Sequence, residues 1–254
     1  MKRSKALFLY LLGTLGQILI VCIAVYLLRR CGLPVDYSTS IGLAAIAVGG
    51  TSSALWGIII SIRYGKSSIK TVFLDFFRIK HSYKNYLLML LFVFMDFFPV
   101  VFGGSIVRSA WYLPILMFFK HIAFGGIEEI GWRYFFQPVL QERIHYVPAT
   151  IITFVAWGIW HFLYFFIEGT ISDVEALPFL IGLLTNSFIL SALYTKTKNL
   201  WLCVMTHSLI NVGSQLLTGG NIYANYACKV TIIALAILLV AMDLHKMKKQ
   251  LTTI

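Results

Sequence analysis

Eight apolar runs dominate this chain, near residues 6–28, 41–62, 86–107, 111–137, 148–167, 177–195, 199–217 and 223–244. Most approach the ~20 residues that cross ~30 Å of hydrocarbon as a helix rising ~1.5 Å per residue. Lipid offers no water to a backbone N–H or C=O, so each run is expected to close its own hydrogen bonds as a helix. The expected fold is therefore all-α: a polytopic membrane bundle of about eight transmembrane helices, one integral membrane domain over 1–254. Composition agrees, because only 12% of the residues are charged and 59% are hydrophobic, whereas a soluble domain carries about a quarter charged residues.

The first run starts like a secretion signal, MKRSK followed by ALFLYLLGTLGQILIVCIAVYLL. It is longer than an ordinary signal core, and Arg29 and Arg30 stand where cleavage would need small residues. It is expected to remain as the first span.

The net charge of +11 is unevenly placed. The N-terminus, the connections at 63–85, 133–147 and 196–198, and the C-terminal tail hold sixteen Lys and Arg. The alternate connections hold Arg29, Arg30, Arg108 and Lys229, while 168–176 is acidic, with Glu168, Asp173 and Glu175. The positive-inside bias then expects both termini on the cytoplasmic face of the cell membrane. No basic amphipathic stretch suits nucleic acid, so no nucleic-acid partner is expected. Cys22, Cys31, Cys203 and Cys228 form no CxxC and read as packing residues. No internal repeat of the transporter kind is visible.

Against this background, GGIEEIGWRYFFQP (125–138) stands out. A charge at the centre of a bilayer costs roughly 2.5–3.5 kcal/mol on insertion scales. On a regular helix Glu129 and Arg133, at i and i+4, share a face and can form a bidentate ion pair. Glu128 is turned ~100° away and left to face something else. A structural ion pair beside an interfacial Glu would explain the stretch equally well. In VAWGIWHFLYFF, Trp157 and His161 again lie at i and i+4, and in THSLINV so do His207 and Asn211. Each pair alone fits ordinary packing or interhelical bonding.

Three spans that each bury an ionisable group point further, since such groups usually face a bundle interior or a wet cavity. Helix counting puts Glu128 and His207 ~12 Å from the cytoplasmic end and His161 ~20 Å from it. The expected site is a cavity reached from the cytoplasmic half, with the fifth span tilted or beginning late. Asp96 and His121 could line the cavity, but the favoured expectation is that Asp96 bonds a neighbouring helix and His121 packs against the third span.

The order EExxxR, a second motif ending in His, then HxxxN on successive membrane helices resembles the CAAX prenyl protease and bacteriocin-processing family of intramembrane endopeptidases, also called the Abi family. Glu128, Glu129 and Arg133 match the first motif, and His207 and Asn211 the third. The second, usually FxxxH, reads Trp157 to His161 here, which keeps an aromatic wall and the His. The resemblance covers a core at about 110–217.

That resemblance implies peptide-bond hydrolysis by an activated water. Glu128 would be the general base and His161 would hold and polarise the water. His207 and Asn211 would donate to the oxyanion, and Glu129 with Arg133 would brace the helix. Family members have been described with and without a metal. Glu128, His161 and His207 are the possible Zn²⁺ ligands, yet no HExxH is present, so no cofactor is expected and zinc is the alternative. The implied partners are membrane lipid and a peptide or lipidated protein substrate: a prenylated C-terminal tail, or a bacteriocin or signalling-peptide precursor. Two other classes stay open, a non-catalytic immunity or scaffold protein and a proton-coupled transporter.

Overall fold

The computed structural model describes residues 3–64 and 67–251. Lys2 and Lys66, which entered the charge count above, lie outside them. The first span is α1 (Arg3–Arg30). The second is α2 (Ser40–Gly50) and α3 (Ser52–Arg63), joined at Thr51, whose hydroxyl donates back to the Ala47 carbonyl at 2.8 Å. Such back-bonding competes with the helical ladder and bends it. A short helix not expected from the sequence, α4 (Ile69–Phe76), is capped by the Ser68 hydroxyl, which accepts from Thr71 N at 3.1 Å. The third span, α5 (Tyr83–Phe97), ends in a 3-10 turn at Phe98–Val101 that contains Pro99.

The fourth run is not one helix. It is α6 (Leu113–Phe124), a 3-10 turn (Gly126–Glu128), a π-helix (Ile130–Phe136) and α7 (Gln137–Gln141). After it come α8 (Tyr146–Glu168), α9 (Ala176–Thr197), α10 (Leu200–Leu216) and α11 (Ile222–Leu251). A small antiparallel ribbon joins β1 (Gly104–Ile106) to β2 (Leu217–Gly219), with Gly104 opposite Gly219. The fold is thus an all-α polytopic membrane bundle with one short ribbon at its rim.

Among the described residues six helical segments are long and apolar enough to cross a membrane: Ser4–Arg30, Ser40–Arg63, Tyr83–Val101, Tyr146–Glu168, Ala176–Thr197 and Ile222–His245. Of the eight expected, the remaining two are the broken fourth run and α10, which has 17 residues. These two carry Glu128 and His207.

All the long helices run between two ends of the bundle. At one end lie the connections 67–82, 142–145 and 198–199. They are tied by Lys196 Nζ on Asp243 at 2.9 Å, Asn199 Nδ2 on the Arg78 carbonyl at 3.1 Å and Arg143 on Ser4 at 2.8 Å. This is the basic end. At the other lie 31–39, 98–112, 169–175 and 217–221. There Arg29 donates to the Phe166 and Ile167 carbonyls at 2.9 and 3.1 Å, and Tyr37 N donates to the Glu168 carbonyl at 3.1 Å.

The interior is aromatic: Tyr10, Trp132, Phe135 and Phe136 are fully buried, with Tyr10 5.2–5.6 Å from three of those rings. The outer faces are apolar too, with Phe8, Ile20, Phe94 and Val230 each at least 60% exposed. Apolar exposure on this scale suits lipid, not water. Asp96 and Lys229, the isolated charges of α5 and α11, neutralise each other at 2.6 Å. All four cysteines are free.

One close approach positions the site. A methyl group at Gly131 would sit 2.2 Å from Ser53 Oγ and 2.4 Å from both the Ser53 carbonyl and Tyr10 OH. The π-helix therefore lies directly on α3, where Gly57 also lacks a side chain. Ser53 Oγ donates to the Glu128 carbonyl at 3.0 Å. An irregular helix leaves backbone acceptors without their usual partners, and here another span supplies one.

Candidate active site

The 3-10 to π transition falls across Glu128 and Glu129, so these carboxylates do not follow regular helical spacing. Irregular turns of this kind are frequent at functional sites. Glu129 is fully buried and bridges two partners: Oε1 accepts from His207 Nδ1 at 2.8 Å, and Oε2 lies 3.4 Å from Arg133 Nε. The bidentate Glu129–Arg133 pair expected from the sequence does not form. The carboxylate is shared with His207, and the Arg133 guanidinium instead stacks over the Trp157 ring, 4.2 Å from its centroid.

Glu128 is 4% exposed, and its Oε2 accepts from the Trp157 indole N–H at 2.8 Å. Oε1 is then the oxygen left for a ligand. His161 bonds the Trp157 carbonyl through Nδ1 at 2.9 Å. A carbonyl only accepts, so that nitrogen carries the proton and Nε2 is free. By the same logic His207 commits Nδ1–H to Glu129 and points Nε2 elsewhere. Trp157 thus meets Glu128, Arg133 and both histidines: its ring also lies 5.0 Å from His161 and 5.4 Å from His207, both edge-on.

Glu128, His161, His207 and Asn211 line one cavity of about 430 Å³. A methyl group at Gly125 would lie 2.6 Å from Asn211 Nδ2 and 3.3 Å from His207 Nε2. Both nitrogens thus crowd the same small volume above Gly125, which only a glycine leaves open. The depth mismatch estimated for His161 is absorbed by the direction of the cavity. It runs from these residues along α8 to Glu168, along α10 to Gln215 and along α6 to Lys120.

The opening was expected on the cytoplasmic half; the cavity extends to the end that carries 31–39 and 169–175. Counting depth from helix starts located the groups but not the empty space between helices. His121 lines the cavity and also bonds a neighbouring helix, accepting at Nε2 from Gln215 Nε2 of α10, 2.8 Å away. Asp96 pairs with a neighbouring helix, as expected. Trp157, Ser53 and Gln215 were not read as site residues. For Trp157 the signal was present, since an indole in place of a phenyl ring adds a donor.

Among the described residues no three His, Cys, Asp or Glu side chains are grouped as a metal ion would need. Glu128, His161 and His207, the possible zinc ligands, share a cavity without forming such a group.

Residues 106–213 match the family described as Type II CAAX prenyl endopeptidase Rce1-like. A relative named CAAX prenyl protease 2, from Methanococcus maripaludis, is 28% identical over 124 residues, 46% of this chain and 45% of that protein. The matched segment holds all the residues named above for the three motifs. Over these residues the chain is similar to the Rce1-like CAAX prenyl endopeptidases. Less than half the length of that relative is aligned, and the CAAX-protease match begins after α5. The support given by α1 and α3 through Tyr10 and Ser53 therefore lies outside it.

Proposed function

We propose that this multi-pass membrane protein is an intramembrane endopeptidase that cleaves peptide bonds with a water activated by Glu128. One observation carries the reading: Glu128, His161, His207 and Asn211, from three separate runs, line a single cavity within the bundle. A scaffold has no need of all four, and a proton relay has no need of the paired nitrogens above Gly125.

In this scheme a water sits between Glu128 Oε1 and His161 Nε2. Glu128 takes its proton as the oxygen attacks the peptide carbonyl, and the carbonyl electron pair moves onto oxygen. His207 and Asn211 receive that oxyanion. Because Nδ1–H is committed to Glu129, His207 meets it through Nε2–H, as an imidazolium whose charge Glu129 offsets. Donors aimed at a developing charge in a water-poor site contribute about 2.7–4 kcal/mol each. The oxyanion then reforms the carbonyl as the C–N bond breaks, and Glu128 passes its proton to the leaving amine. Glu129 acts through His207 and Arg133 and does not touch the reacting atoms.

The name of the relative and the family resemblance suggest a lipidated tail, and bacteriocin or signalling-peptide precursors suit the same chemistry. Purified full-length chain should cleave one of two probes, a prenylated C-terminal peptide or an unlipidated peptide precursor, read by mass spectrometry. E128Q should lose at least ~100-fold of that rate with an unchanged melting temperature, the scale of losing a general base. A Zn²⁺ chelator should leave the wild-type rate unchanged. Loss on chelation, restored by Zn²⁺, would replace this scheme with a metal-dependent one.

A further inference from the structure

The cavity is closed toward the basic end of the bundle and open at the other. Beneath the carboxylates, Glu129 and Arg133 are 0% exposed, and Trp132, Phe135 and Phe136 at most 2%. Below them Gln137 donates to Thr150 at 2.9 Å and accepts from Ser191, so hydrogen bonds fill the space between α7, α8 and α9. No cavity-lining residue comes from the connections at the basic end. In the other direction the walls are Trp160, Tyr164, Phe165 and Phe179, and the rim holds Tyr37, Lys120 and Glu168. Tyr37 is 61% exposed and belongs to the 31–39 connection.

Charge assigns the two ends to the two sides of a membrane. Lys and Arg concentrate in the connections of the closed end, and such an excess marks the cytoplasmic side. We infer that the cavity takes its substrate from the extracytoplasmic side, as a peptide segment already carried across or anchored in the outer leaflet, with apolar side chains set against the aromatic walls. Both signs of charge at the rim, Lys120 and Glu168, leave net charge of the peptide unselected. The word substrate rests on the peptidase reading above. The side of entry does not.

The chain carries its own reporter. Cys31 is exposed in the connection that leads to Tyr37, and Cys22 and Cys203 are buried. Full-length protein in intact bacterial cells, treated with a membrane-impermeant sulfonated maleimide, should be labelled at Cys31. In a chain with all four cysteines replaced by serine, Y37C should be labelled in intact cells and K84C, at the basic end, only after permeabilisation. Labelling at Cys31 and Y37C only after permeabilisation overturns the inference, as does labelling of K84C in intact cells. A chain that labels as expected yet cleaves neither probe sinks the peptidase and leaves the side of entry standing.

Discussion

At the scale of single residues, the indole of Trp157 decides how Glu128 is held. The motif this position resembles carries Phe, whose ring fills the same wall but has no donor. Here the N–H fixes Glu128 Oε2 at 2.8 Å, and the ring face carries Arg133. W157F keeps the ring and its contacts and removes only the hydrogen bond. A bond to a charged group contributes about 1.5–3 kcal/mol, so kcat on the cleaved probe should fall about 10- to 100-fold with KM little changed. Equal kcat for W157F and wild type would show that the indole is only wall. The sequence disclosed the identity of this residue and its shared face with His161. It could not disclose the bond, because the acceptor lies on another run and the angle between the two is set by docking. The same holds for Glu129, whose second partner, His207, is 78 residues away.

At the scale of elements, the broken fourth run is the part that the apolar pattern over 111–137 could not draw. Its apolar residues suit a span, yet the turn across Glu128 narrows to 3-10 and then widens to π. That path is stable because Ser53 caps the Glu128 carbonyl and because Gly131 lets the π-helix rest on α3. Neither cause is local to the run, so no reading of residues 111–137 alone could find it. Two glycine substitutions separate support from chemistry. In G131A the new methyl meets the Ser53 backbone carbonyl at 2.4 Å, which cannot move without shifting α3. Overpacking of this kind costs about 1–3 kcal/mol, and the melting temperature in detergent should drop by several degrees. In G125A the nearest atom is the amide end of Asn211, which can rotate away. That variant should melt near wild type but cleave at least ~10-fold more slowly, since the volume for the oxyanion is filled and its donor displaced. If G125A and G131A lost stability equally, Gly125 would be a packing residue and not part of the site.

At the scale of the whole molecule, the bundle must hold its last span against the rest while carrying charges through hydrocarbon. Most of this level was legible: apolar runs gave the spans, and alternating basic connections distinguished the two ends. The pairing of Asp96 with Lys229 was not, because α5 and α11 are distant in sequence and each charge alone looked like an exception. Together they form an ion pair of 2.6 Å with side chains 4% and 15% exposed. Lys229 sits ~10 Å along α11 from Ile222. Desolvating such a pair offsets most of its attraction, so its net contribution is small, but losing one partner strands the other charge at about 3–5 kcal/mol. K229M should therefore destabilise the protein strongly, and D96L combined with K229M should recover most of the loss. Thermal unfolding of the two variants in the same detergent checks this. Recovery would show that the pair solves a problem the charges themselves create, with α11 held chiefly by its apolar face. A double variant as unstable as K229M alone would show instead that the ion pair is what fastens α11 to α5.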